Sequence, residues 1–178
     1  MTQMTQYEIR PLEVEDFAAF VDIQRHALLN APEVFGSDYE WFESLSALLK
    51  EQRFEMFLNY PYQFVLGAIT PSGEIAAMVG FSCDHSRSKI KHKGRLWGVY
   101  VRAEHRHRGL ATRLITAIIT TAQDLVRCEI IQLSVSKHNP GSFAVYLRLG
   151  FIVYGTELHA MKIGDTYVDE YLMHKMLL

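Results

Sequence analysis

The 178-residue chain is 49% apolar and 21% charged, an ordinary globular composition. A chain of this length buries roughly 70% of the surface its unfolded form would expose. No apolar stretch approaches the ~20 residues needed to cross a bilayer, and a formal net charge of −2 gives no global attraction to nucleic acid.

The N-terminal residues 1–6 lack the charged and apolar regions of a signal peptide. Cys83 and Cys128 have neither metal-ligand spacing nor the number to build a disulfide framework. A reduced cytoplasm, with no membrane partner and no metal, is the reading. No repeats, low-complexity tracts or linkers appear, so residues 1–178 read as a single domain.

Residues 7–10 predict a short strand ended by Pro11. Phe17, Phe20, Val21, Gln24 and Leu28 keep helical spacing, which predicts a helix over 14–30, broken at Ala31-Pro32. A second helix is predicted over about 39–59, with Leu45, Leu48, Leu49 and Phe57 in the core. Strands at 63–70 and 74–83 flank Pro71-Ser72-Gly73, a hairpin turn, and 93–101 completes the meander. Leu110, Leu114, Ala117, Ile118, Thr121 and Leu125 form the stripe of a helix running from 110 to about 125. Residues 130–135 read as a buried strand and 139–149 as a helix; strands at 151–161 and 166–177 follow, joined at Ile163-Gly164-Asp165. The order β-α-α-β-β-β-α-β-α-β-β describes an α/β layer structure with a mixed sheet.

Two stretches carry chemistry. Arg106-His107-Arg108-Gly109-Leu110-Ala111 joins a strand to a helix. The first turn of a helix offers unpaired N–H groups and the positive end of the macrodipole, which suits phosphate. Gly109 allows close backbone approach, and the arginines add forked donors. The loop is no Walker P-loop, since no Gly-Lys-Ser/Thr follows, and it has only one glycine of the dinucleotide fingerprint. A solvated basic turn that holds no ligand is the bland alternative. The second stretch is Asn139-Pro140-Gly141-Ser142-Phe143-Ala144-Val145-Tyr146, continuing to Gly150-Phe151.

Arg-x-x-Gly-x-Ala resembles the acetyl-coenzyme A pyrophosphate loop of the GNAT superfamily of N-acetyltransferases. Asn139, Tyr146 and Gly150-Phe151 resemble its second motif, with Ser142 standing where Ala is usual. The resemblance implies the GNAT fold, a central mixed and mostly antiparallel sheet flanked by helices. It also implies transfer of acetyl from acetyl-coenzyme A, the co-substrate, to a primary amine by direct attack, with no metal. Backbone groups of Val99, Tyr100 and Val101 would meet the pantetheine and supply an oxyanion donor. The pyrophosphate would rest on the backbone of His107, Arg108, Gly109, Leu110, Ala111 and Thr112, with Arg106 and Arg108 at the basic positions. Asn139 would contact pantetheine, cap the next helix, or do both. Tyr146 would be the general acid toward the coenzyme sulfur; its alternative is packing. Arg102 and Arg113 read as solvent-exposed, Gly150 as a helix C-cap and Phe151 as core.

The acceptor, a small-molecule or peptide amine, is not readable, and neither is the base: Glu40, Asp84, His138 and Glu170 are equally placed. The segment 32–41 combines aromatics and acids suited to a cationic amine, or simply packs as a loop. Arg87, Lys89, Lys91, Lys93 and Arg95 form a basic hairpin, either a charged rim or a solvated turn. Family members are often dimers, so a homodimer is an option. Two competing readings are a non-catalytic acyl-coenzyme A-binding module and a nucleic-acid binder; for the latter, no interleaved aromatics accompany the basic residues.

Overall fold

A computed structural model describes residues 7–177. Eight strands form one sheet: β1 (Glu8–Pro11), β2 (Leu58–Asn59), β3 (Gln63–Ile69), β4 (Ile75–Cys83), β5 (Lys93–Val101), β6 (Ile130–Ser136), β7 (Ile152–Ile163) and β8 (Thr166–Met176). The order across it is β1-β3-β4-β5-β6-β8-β7, with β2 paired to one end of β3. Every pairing is antiparallel except that of β5 with β6. This is the mixed sheet that the element order predicts, mostly antiparallel as the resemblance implies.

Five α-helices cover it: α1 (Phe17–Asn30), α2 (Tyr39–Ser44), α3 (Ala47–Glu55), α4 (Leu110–Thr121) and α5 (Pro140–Arg148). Side chains alternate across a strand, so successive residues of β3 feed two cores. Val65 and Ile69 join Phe20, Ile23 and Ala27 of α1 and Phe54 of α3. Phe64, Leu66 and Ala68 join Leu110, Leu114, Ile115 and Ile118 of α4. Among the described residues no helix is long and apolar enough to cross a membrane.

Two helix predictions need correcting. The second helix is two helices, because Leu45 is extended and Ser46 caps a new start by accepting the Leu49 N–H at 3.2 Å. The break rephases the stripe. Leu48 and Leu49 are exposed, Leu45 and Phe57 are half-buried, and Phe42 and Phe54 take the core positions. A short strand, β2, then replaces the predicted end of that helix. Farther on, α4 widens into a π-turn over Ala122–Val126, which rotates Leu125 outward and puts Ala122 in the core.

Arg102 is a third correction. Predicted exposed, it is 5% exposed. Its Nη2 donates to Asp22 at 2.5 Å and its Nε to the Ile75 carbonyl at 2.9 Å. Arg113 is exposed as predicted.

Candidate active site

Strand β5 builds the site by leaving the sheet. Its register against β4 slips between Met78 and Gly80, so that Gly98 and Val99 together face Val79, a β-bulge. Gly98 sits at φ +62, where a side chain would be strained. On its other edge β5 pairs with β6 only through Lys93, Gly94 and Arg95. Beyond Arg95 the two parallel strands part, and the β6-facing backbone of residues 97–101 has no strand partner.

A cavity of about 640 Å³ fills that gap. Residues 99–101 form one wall, and Arg106, His107 and the first turn of α4 (109–112) form the second. Asn139 and the start of α5 close the third. Gly109 is the residue before α4, at φ +71 with no side-chain cap. The first bond inside the helix runs from the Arg113 N–H to the Gly109 carbonyl at 3.0 Å. The N–H groups of residues 110–112 therefore have no acceptor within the helix. A Cβ built on Gly109 meets nothing within 4 Å, so glycine is required for its conformation rather than for space. His107 also has positive φ, +61; such backbone in a non-glycine residue concentrates where ligands are held. These features fit a pyrophosphate.

The loop before α4 is anchored by a chain of side chains. Tyr7 Oη lies 2.8 Å from His105 Nδ1, and His105 Nε2 lies 2.9 Å from Glu74 Oε1, which ties β1 and the β3–β4 turn to the segment after β5. Tyr100 Oη lies 2.8 Å from His26 Nδ1 and links β5 to α1. Burial pushes the Tyr100 phenol above its ordinary value, against the opposing pull of Arg106 and Arg102.

Of the predicted coenzyme residues, Val99, Tyr100, Val101, Arg106, His107, Gly109, Leu110, Ala111, Thr112 and Asn139 are brought together on this cavity. Arg108 is not on its wall; Nη2 donates to the Glu104 carbonyl at 3.3 Å. Asn139 does the capping job its position suggested, accepting the Ser142 N–H at 3.1 Å while lining the cavity. Tyr146 is 4% exposed and belongs to the α4-side core, edge-on to Phe151 with ring centroids 5.9 Å apart. Its neighbours Ala144 and Val145 line the cavity, whereas Tyr146 does not. Burial alone pushes its phenol far above the ordinary value. Gly150, at φ +84, and Phe151, 1% exposed, end α5 as a C-cap and a core aromatic.

A second cavity, about 410 Å³, begins where the first ends. Leu96, Trp97 and Gly98 line it, Val99 lines the first cavity, and Val34 lines both. Phe20, Phe35, Trp41, Phe42, Phe57 and Trp97 make it largely aromatic. From the segment 32–41, Val34, Phe35, Gly36, Ser37 and Trp41 contribute walls, but its acids do not. Asp38 caps α2 by accepting the Trp41 N–H at 2.6 Å, and Glu33 lines the first cavity. The charged groups present are Lys50, Arg53, Arg95 and Glu170. Among the four equally placed bases the structure separates Glu170, which lines this cavity. His138 lines the first cavity, Asp84 is bound to Ser86 and Arg87, and Glu40 is exposed on α2. Arg95, read only as part of a basic hairpin, lines this cavity, a placement that sequence reasoning missed. Its one signal is alternation: Gly94 and Leu96 are buried, so Arg95 and Trp97 face the opposite side.

The model of the acetyltransferase (GNAT) family matches residues 23–151, which hold the loop, the bulged strand and the Asn139 motif. The chain belongs to that family. One curated relative of this GNAT protein is the L-amino acid N-acetyltransferase AaaT of Escherichia coli (strain K12), 31% identical over 81 residues. That match covers 45% of the chain and 49% of the relative, about half the length of each. Among solved structures, a GNAT-family acetyltransferase from Streptococcus pneumoniae superposes with TM-score 0.82 at 25% identity, over 96% of this chain and 99% of that one. A phosphinothricin acetyltransferase from Sinorhizobium meliloti, solved with AcCoA, superposes with TM-score 0.80 at 16% identity over 96% and 88%; at that identity it shares the fold.

Proposed function

We propose that this GNAT protein is an enzyme, one N-acetyltransferase domain over residues 1–178, that moves the acetyl group of acetyl-coenzyme A onto a primary amine by direct attack. The observation that carries the reading is the meeting of two cavities on one bulged strand, one built for a phosphate-bearing ligand and one lined with aromatics and charge. The L-amino acid N-acetyltransferase relative and the acetyl-coenzyme A complex of a fold neighbour point the same way.

Acetyl-coenzyme A supplies an activated thioester with a thiolate leaving group. The N–H groups of residues 110–112 and the guanidinium of Arg106 hold its pyrophosphate. The open edge of residues 99–101 takes the pantetheine arm as an added strand, with Asn139 beside it. A backbone N–H of that edge faces the carbonyl oxygen as it gains charge; such a donor is worth ~3 kcal/mol in other enzymes. The family motif it occupies, and not a place on the cavity wall, supports Tyr146 as the hydrogen-bond donor to the sulfur as the C–S bond breaks. Because burial raises its pKa, the phenol stays protonated throughout the working pH range. The open acceptor cavity of about 410 Å³ favours an enzyme over a closed acyl-coenzyme A-binding module, and its size suits a small molecule. The free thiols of Cys83 and Cys128 suit a reducing cytoplasm.

Thermal shifts with acetyl-coenzyme A, coenzyme A, ATP and NAD test the reading. At a hundredfold over Kd a ligand adds ~2.7 kcal/mol, which raises Tm by roughly 5–11 °C in a chain of this size. The first two ligands stabilise the protein and the last two do not. Gly109→Glu, folded, loses the effect. Stabilisation by none of the four removes the enzyme reading.

A further inference from the structure

We propose that His105 is a positioning residue for the phosphate-holding loop, and that Tyr7 and Glu74 act through it to set the affinity for acetyl-coenzyme A. The inference rests on the acetyltransferase reading above and names what holds the same site ready for its ligand.

The loop needs an outside support. Its backbone carries two left-handed residues, His107 at φ +61 and Gly109 at φ +71. Strain of this kind in a non-glycine residue persists only where the surroundings fix it. Downstream, buried Leu110 roots the loop in the α4 core, and upstream Arg102 is buried. Of the seven residues between them six are exposed, and His105 alone turns inward, with a side chain 15% exposed. Arg106 and Arg108 donate to the Val101 and Glu104 carbonyls. Those bonds close within the same stretch of chain, so they do not set its place on the sheet.

Both ring nitrogens of His105 reach out of the loop. Nε2 lies 2.9 Å from Glu74 Oε1, and an ionised carboxylate only accepts, so Nε2 carries a proton. In the neutral ring Nδ1, 2.8 Å from Tyr7 Oη, then accepts from that hydroxyl. The Tyr7 ring also meets the imidazole edge-on, with centroids 5.6 Å apart. Each partner is itself fixed. Tyr7 is buried and precedes Glu8, which is in register with Ile69 of β3. Glu74 donates its N–H to Thr70 Oγ1 at 3.1 Å and accepts the Thr70 N–H at 2.9 Å across the β3–β4 turn. The imidazole thus pins an exposed loop to two fixed points of the sheet.

Arg106 and His107 follow directly. Residues 103–105 make one tight turn, closed by the His105 N–H to the Arg102 carbonyl at 2.9 Å and the Arg106 N–H to the Ala103 carbonyl at 3.2 Å. Movement of His105 therefore carries Arg106 and His107 with it, and both line the larger cavity. A loop released from its pin is competent for only part of the time, and the apparent affinity falls by that fraction.

The test titrates acetyl-coenzyme A into folded variants by calorimetry and follows their amide hydrogen exchange. A carboxamide replaces one ring nitrogen at a time: Asn matches Nδ1 and Gln matches Nε2. His105→Asn and His105→Gln each raise Kd about 3–10-fold, and His105→Ala raises it about 10–100-fold. Tyr7→Phe raises Kd in the wild-type background but not in His105→Gln, which has already lost that bond. Exchange of residues 103–109 quickens in each weakened variant while α4 keeps its protection. An unchanged Kd in His105→Ala overturns the proposal, as does a Tyr7→Phe effect that persists in full in His105→Gln. Weaker binding with unaltered exchange overturns it too, because the ring would then meet the coenzyme itself. Absence of acetyl-coenzyme A binding by the wild type overturns the reading beneath it.

Discussion

Arg102 and Asp22 form an unequal pair: the arginine side chain is 7% exposed and the aspartate 66%, joined at 2.5 Å. The guanidinium also holds the Ile75 carbonyl, so one buried group links α1, β4 and the end of β5 beside the larger cavity. Removing the two partners should therefore cost different amounts. Arg102→Met leaves a carbonyl unpaired and costs about 1–3 kcal/mol. Asp22→Asn removes a solvent-screened charge and costs less than about 1 kcal/mol. Urea unfolding of the two variants measures the difference; equal losses would contradict the assignment of Arg102 as the structural member.

Gly80 predicts an effect confined to the acceptor side. A Cβ at this position would run into the indole of Trp97, which packs at a tilt against Phe57 and lines the smaller cavity. Gly80→Ala displaces the ring and costs about 1–3 kcal/mol by overpacking. Acceptor KM should rise while the Kd of acetyl-coenzyme A holds. A change confined to the Kd would mean that Trp97 serves the other cavity.

Tyr146→Phe separates packing from chemistry. The ring and its contact with Phe151 survive, so stability changes little. Loss of a hydrogen bond to sulfur lowers kcat by about 10²-fold with coenzyme binding retained. Since the phenol's folded value lies above its ordinary one of 10, no limb of the pH–rate profile between pH 6 and 9 belongs to it. Its contribution to stability is complete below pH 10 and declines as pH rises beyond it. Unchanged kcat would make Tyr146 a core residue only.

The two cysteines make a chemical prediction. Their sulfurs lie 3.8 Å apart in the core, and burial raises both thiols, Cys128 to about 12. Native protein should leave a thiol-reactive disulfide reagent unspent at pH 8, and urea should release both groups together. Because the folded values lie above the unfolded 9, the thiols stabilise the fold fully below pH 9 and lose that effect between pH 9 and about 12. Rapid native labelling at pH 8 would refute the burial.

Most strands were legible because alternation and hairpin turns are local signals. Residues 93–101 match β5 at both ends. The split at Leu45-Ser46 was not, since one serine cap competes with a continuous apolar period and gains only with tertiary contact from Phe42 and Phe54. The loop wall of the larger cavity was readable because a helix start, a glycine and basic residues occur in one short run. The acceptor wall comes from α1, α2, α3, β5, β6, β7 and β8, and no spacing in the chain records that Arg95 and Glu170 share a cavity.

Helices α2 and α3 each bury a single side chain, Phe42 and Phe54, whereas α4 buries Leu110, Leu114, Ile115 and Ile118. Two helices around the smaller cavity are thus shallowly rooted, whereas α4, beside the larger cavity, is deeply rooted. Local opening draws on the weakly packed elements first. On the acetyltransferase reading, the amine would enter and its product leave by a yielding of α2 and α3 while α4 holds its place beside the larger cavity.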